Sequence, residues 1–127
     1  MGGVCKGAPR RGGGVGAGPP PPRPAPPRPA EIAPGVWVVR GSGGEADAVN
    51  LGRIGNSGFV VGTRGVVAID TGTSYRHGRE LLAAIASVTD RPVALALVTH
   101  TRPEFLFGAN AFRERGIPIR MHRKTAA

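Results

Sequence analysis

Six consecutive apolar residues, Val93-Ala94-Leu95-Ala96-Leu97-Val98, run directly into Thr99-His100-Thr101-Arg102-Pro103-Glu104-Phe105-Leu106-Phe107-Gly108. No other feature restricts the fold of this chain as much. An apolar run of this length without polar interruption reads as a strand covered on both faces. Its abrupt end in a polar, proline-containing stretch reads as a loop that opens a short helix. Loops at strand ends are where binding and catalytic groups collect.

Upstream, Asn56-Ser57-Gly58-Phe59-Val60-Val61-Gly62 and Gly65-Val66-Val67-Ala68-Ile69-Asp70-Thr71-Gly72 frame a turn, Gly62-Thr63-Arg64-Gly65, of hairpin length. Pro34-Gly35 precedes Val36-Trp37-Val38-Val39, a β-branched and aromatic run expected to be the first strand. Ala48 to Ile54 is read as a second strand, weakened by Gly52. From Tyr75 to Val88, Leu81, Leu82, Ile85 and Val88 fall at helical spacing, with Ser74 as N-cap and Asp90-Arg91-Pro92 as the stop. A two-turn helix is expected from Gly108 to Arg115 with Phe112 inward. Gly116 then follows as the C′ residue, Ile117 to Met121 as a strand, and Thr125-Ala126-Ala127 as the start of another helical pattern. Hairpin, helix, buried strand and helix in alternation argue α/β layering.

Residues 1–30 have a different composition. They hold 8 Gly, 9 Pro and five basic residues (Lys6, Arg10, Arg11, Arg23, Arg28), with no Asp or Glu. Such a segment buries too little apolar surface to offset the entropy of ordering it, so a disordered, polyproline-rich tail is expected. The chain divides into this tail (1–30) and one small domain (31–127). The net charge of +9 splits as +5 in the tail and +4 in the remainder. A basic arm attracts acidic surfaces, but no aromatic residue interleaves its arginines for base stacking, which disfavours nucleic acid as a partner. The excess of 15 Arg over 2 Lys, with abundant Gly, Ala and Pro, fits a G+C-rich gene. The one cysteine, Cys5, makes no internal disulfide, and no stretch reaches the ~20 apolar residues of a membrane helix. Without a secretory signal as written, a cytoplasmic location is the default; export is expected if the start codon is misassigned.

The motifs around Asp70-Thr71-Gly72 and Thr99–Gly108, in this order, resemble the first half of the metallo-β-lactamase fold over roughly residues 32–127. The resemblance implies an α/β domain that is the first half of an αββα sandwich, with the partner sheet missing. The residues from Glu31 to Ala127 look closest to zinc metallohydrolases associated with quinoprotein relay systems, whose members are often exported. In the superfamily the loop reads Thr-His-x-His-x-Asp-His-x-x-Gly and its histidines and aspartate ligate one or two zinc ions. Here His100 matches the first histidine, Arg102 stands at the second, Glu104 replaces the aspartate and Phe105 replaces the third histidine.

A zinc hydrolase holds its ion with three or four neutral or anionic donors and lowers the pKa of a bound water. His100 and Glu104 are the two candidate metal ligands left; Arg102 stays charged and repels a cation, and Phe105 cannot ligate. Zinc is the family's cofactor, and stable binding here is not expected. Asp70 has two readings: an orienting residue at the floor of the site, as the resemblance implies, or a turn-former after a strand. In the first, Asp70 and Arg102 could form a charge pair where the metal sits in active relatives. Glu104 is expected to pair with Arg102 or face solvent. His77 and His122 read as packing or surface histidines. Ser57, Ser74 and Ser87 belong to no nucleophile motif, and the glycine-containing turns spell no phosphate loop.

Three functional readings stand: a hydrolase-like protein with a degraded metal motif, inactive alone; a non-catalytic binding or assembly module; and an active zinc hydrolase of esters, thioesters or lactams with unorthodox ligands. A remnant gene with no folded function is the bland alternative. An isolated half leaves apolar faces in water, so the partner implied is a complementary second half or another copy of the chain.

Overall fold

The computed structural model describes residues 16–20, 22 and 25–126. The expectation of a disordered tail falls largely on residues outside that set. Among the described residues, 25–29 form neither helix nor strand, and the first strand, β1, begins at Ala30.

One six-stranded sheet is built in sequence order from β1 (Ala30–Ala33), β2 (Val36–Val39), β3 (Ser57–Val61), β4 (Val66–Ile69), β5 (Val93–Val98) and β6 (Ile119–Met121). The first four strands pair antiparallel, and β4, β5 and β6 run parallel. The change of direction requires a crossover, and α1 (Tyr75–Val88) provides it. Ser74 caps α1 by accepting a hydrogen bond from the His77 amide, and Thr89 ends it in an extended conformation ahead of Pro92. The short helices α2 (Pro103–Leu106) and α3 (Ala109–Arg113) follow β5, and α4 (Arg123–Ala126) follows β6.

The expected hairpin and main helix are present, and the strand expected over 93–98 is formed but is not covered on both faces. Three element readings need correction. Ala48–Ile54 is a turn region rather than a strand, because Asn50 organises it: its side-chain oxygen accepts from the Asp47 and Gly52 amides, and its Nδ2 donates to Ser42 Oγ and the Glu45 carbonyl. Leu51 and Gly52 both take positive φ there, which interrupts any ladder. The first strand of the sheet is instead Ala30–Ala33, concealed in the sequence by the proline-rich stretch before it. The two-turn helix expected over 108–115 is only Ala109–Arg113, closed by Gly116 at φ +71.

β5 is covered on one face only. Ala96 and Val98 are buried with Phe59, Val66 and Ala68 beneath Leu81, Leu82 and Ile85 of α1 and Ala111 and Phe112 of α3. The opposite face carries Val60, Val67, Ile69, Leu95 and Leu97, aligned by the strand register, and Val60 and Leu97 remain 37% and 39% exposed. The uninterrupted apolar run reflects two apolar faces, of which the described residues cover one.

Candidate functional site

The C-terminal ends of β4 and β5 lie side by side, and the site is built from the turns that leave them. Asp70, Thr71 and Gly72 leave β4; Asp70 has φ +59 and Gly72 has φ +90. A non-glycine residue in the left-handed region is retained where local bonding over-determines it, and Asp tolerates this region better than most. Here the bonding is plain. The Asp70 amide donates to the Leu97 carbonyl at 2.8 Å, while its carboxylate accepts from the Thr99 amide at 2.8 Å and from the Thr99 hydroxyl at 2.9 Å. With 6% exposure, Asp70 is a buried polar group whose oxygens are satisfied by the first residue of the loop.

The remainder of the loop is held by the next two residues. The Thr71 amide donates to the Phe105 carbonyl at 2.8 Å, and its buried hydroxyl lies 3.0 Å and 3.1 Å from the Phe105 and Leu106 carbonyl oxygens. The Gly108 amide donates to the Gly72 carbonyl at 2.8 Å. Gly108 packs so closely that a Cβ there would collide with the Thr71 carbonyl, and a Cβ on Gly78 of α1 would collide with the Gly108 carbonyl. Thus Asp70-Thr71-Gly72 is both a turn and a clamp on Thr99–Gly108. Thr99 and Thr71, which complete the clamp, were not singled out in the sequence; the signal available was a hydroxyl residue at each strand end.

The side chains that the clamp presents are poor metal donors as a set. His100 is exposed, and its Nδ1 accepts from the Arg102 amide at 3.2 Å, leaving Nε2 as the one ring nitrogen able to ligate. Arg102 does not reach Asp70. Its guanidinium, 68% exposed, lies 3.7 Å from the Glu104 carboxylate, so the alternative Asp70–Arg102 pair is replaced by Asp70–Thr99 and Arg102–Glu104. The Asp70 oxygens bond the Thr99 amide and hydroxyl instead. Phe105 tilts against the His100 ring at 5.9 Å between centroids and packs on Gly55, where an added Cβ would lie 2.8 Å from the Phe105 ring. Among the described residues no group of three or more His, Cys, Asp or Glu is placed to hold a metal. A zinc ion in this loop would meet one imidazole nitrogen, one carboxylate already paired with a guanidinium, and a phenyl ring; these residues do not fit a three- or four-donor shell. His122, at the end of β6, uses its Nδ1 to accept from the Lys124 amide and lies outside this group.

Beside the loop, Glu80 of α1 is a second charged cluster. Burial raises its pKa, yet hydrogen bonds from Arg76 Nε (2.9 Å) and Arg53 outweigh that and hold the carboxyl below its ordinary value. The Arg53–Glu80 pair ties the segment before β3 to α1. His77, on the same helix, is 5% exposed, and burial together with Arg53 lowers its pKa, so the neutral ring is favoured.

A sheet whose strand-end Asp-Thr-Gly turn clamps a histidine-bearing loop, with both packed helices on one face, has the fold of the metallo-β-lactamases. The structure is similar to the mono-zinc form of metallo-β-lactamase FIM-1 from Pseudomonas aeruginosa, with TM-score 0.67 and 20% identity over 82% of this chain and 45% of that one. It is also similar to the metallo-β-lactamase from Pontibacter korlensis (TM-score 0.63, 25% identity, 79% and 45% of the two chains). The same holds for the metallo-β-lactamase from Erythrobacter litoralis (TM-score 0.60, 23% identity, 76% and 42%). By sequence, 48 residues are 33% identical to a linear primary-alkylsulfatase of Pseudomonas sp. (strain ATCC 19151), covering 38% of this chain and 9% of that protein. No family model matches the chain. The chain therefore spans less than half the length of the solved structures that it resembles.

Proposed function

We propose that this chain is a hydrolase-like scaffold with a degraded metal site, inactive by itself. The observation that carries the reading is the contrast within one loop. The clamp from Asp70-Thr71-Gly72 to Thr99–Gly108 is intact, whereas the side chains it displays include an exposed Arg102 beside a half-buried Glu104, and Phe105. Hydroxide generation needs an ion with a complete inner shell and one open position. A guanidinium beside the carboxylate opposes a cation by charge, and a phenyl ring contributes no donor.

The open apolar face of β3, β4 and β5 supports a non-catalytic assembly role as a second reading, in which a complementary layer of another segment or another copy covers Val60, Val67, Ile69, Leu95 and Leu97. Metal analysis of purified, dialysed protein together with an ester and lactam hydrolysis assay tests the main reading. Zinc-dependent turnover by the unmodified chain would return it to the active hydrolases with unorthodox ligands. Absence of both zinc and turnover, with association of the chain in solution, would favour the assembly role.

A further inference from the structure

Beneath the Gly72–Thr73 turn lies a cavity of about 20 Å³, bounded by His77 and Glu80 of α1, Arg53, Thr73, Ser57 at the start of β3, and Pro27 from the segment before β1. His77 is 5% exposed, and its Nδ1 is enclosed without a hydrogen-bond partner. A buried ring nitrogen without a partner is costly in any globular interior. The neighbouring groups of the protein are already engaged: the Arg53 guanidinium pairs with Glu80, Glu80 also accepts from Arg76, and the Thr73 hydroxyl donates to the Gly52 carbonyl.

We infer that this cavity is a binding site for one buried water molecule, held by His77 Nδ1 and by polar groups of the surrounding wall. Volume decides the class of ligand, because one water needs roughly 10–15 Å³ of such space, and a larger polar molecule does not fit in a cavity of about 20 Å³. A small cation is disfavoured because the one carboxylate of the lining, Glu80, is already paired with Arg53 and Arg76, which leaves such an ion no free anionic donor. Water also suits either neutral tautomer of His77, because it donates to a bare nitrogen and accepts from an N–H. The lining groups with bonding capacity left are the Arg53 guanidinium, whose pair with Glu80 leaves further N–H donors, the Ser57 hydroxyl, and the Thr73 hydroxyl oxygen, which can still accept; they come from the stretch that leads into β3 and from the turn after β4. The bound water joins α1 to the segment before β3 and to the turn that clamps Thr99–Gly108. Burial and the Arg53 charge, which disfavour protonated His77, keep the ring in the neutral form this bonding requires.

The test uses the full chain. With ¹⁵N-labelled histidine, the Nδ1 chemical shift of His77 at pH 7 is expected to be that of a hydrogen-bonded nitrogen. Oxygen-17 magnetic relaxation dispersion is expected to count one more long-lived water in the unmodified protein than in His77→Phe. A shift typical of a nitrogen without a hydrogen bond, or equal dispersion amplitudes in the two proteins, overturns the assignment. Should His77→Phe fail to fold, the ¹⁵N shift in the unmodified chain decides alone.

Discussion

The Asp70 carboxylate accepts both the amide and the hydroxyl hydrogen of Thr99, at 2.8 Å and 2.9 Å, and so locks the end of β4 to the first residue after β5. Asp70→Ala removes both bonds and places a residue without a local hydrogen-bonding side chain at φ +59. The expected loss is about 3 kcal/mol, from the charged hydrogen bonds and the left-handed conformation together. Asp70→Asn, which keeps one acceptor and tolerates that φ, is expected to lose less than half as much. Urea denaturation midpoints of the two variants check the order; equal losses would mean that the carboxylate does not hold the loop.

Gly108→Ala is expected to disrupt the domain more than an ordinary surface Gly→Ala change. The new Cβ would meet the Thr71 carbonyl, and that backbone is fixed by its own bonds to Phe105. Gly43→Ala, with open space around it but positive φ, is the control: strain at one loop residue costs about 1–2 kcal/mol. Amide hydrogen exchange should show fast exchange at Thr71 and Gly108 in Gly108→Ala and unchanged protection there in Gly43→Ala.

Phe59 is fully buried at the centre of the sheet and stacks on Trp37 with centroids 6.0 Å apart and planes 4° from parallel. Phe59→Ala should cost about 3–5 kcal/mol through lost burial and the cavity left behind. A domain of this size has little stability to spare, so the variant should be largely unfolded. The red shift of Trp37 fluorescence reports it, since Trp37 is the one tryptophan of the chain.

The helix and hairpin were legible because each has a period and punctuation of its own: Leu81, Leu82, Ile85 and Val88 on one face of α1 after Ser74, and Gly62-Thr63-Arg64-Gly65 between two apolar runs. The clamp was half legible. Asp70 could be read as a turn-former or as an orienting residue, and the geometry makes it bond the loop while it forms the turn. Other features depend on what sits nearby in space. Arg102 lies beside Glu104 while Thr99 bonds Asp70, and the Arg53–Glu80 pair joins residues far apart in sequence. The proline-rich stretch before β1 conceals that strand, and the Asn50-centred turn over Ala48–Ile54 carries the same apolar residues as a weak strand.

Stability should fall as pH drops from neutrality toward 5. The folded state holds His77 below its ordinary pKa of 6.5, so below that value the unfolded chain binds more protons than the folded one. The contribution is therefore complete above the unfolded pKa and declines as pH falls toward the depressed folded value. Glu80, also depressed, adds a second loss in the more acidic range below the ordinary carboxylate value of 4.5. Denaturation midpoints between pH 7.5 and 5 should show the first decline in the unmodified chain and a flatter profile in His77→Phe. An identical slope in both would assign the effect elsewhere.

The combined replacement Arg102→His, Glu104→Asp and Phe105→His is expected to raise zinc affinity at least tenfold, because two imidazoles and a shorter carboxylate replace a cation, a ring and a paired glutamate. Hydrolysis should stay weak, since further donors and the opposite wall of the cleft are absent from the described residues. Calorimetric titration and an ester or lactam assay read the two parts separately. No gain in affinity would mean that the loop does not display these positions toward one point.

The most direct measurement is the zinc content of the unmodified protein after extensive dialysis, by elemental analysis against protein concentration. With His100 offering one nitrogen and Glu104 one carboxylate beside the Arg102 cation, the expected value is well below one equivalent, removed fully by a chelator. One equivalent that resists chelation would contradict the account, because a complete donor shell would then exist in a loop read as having lost it.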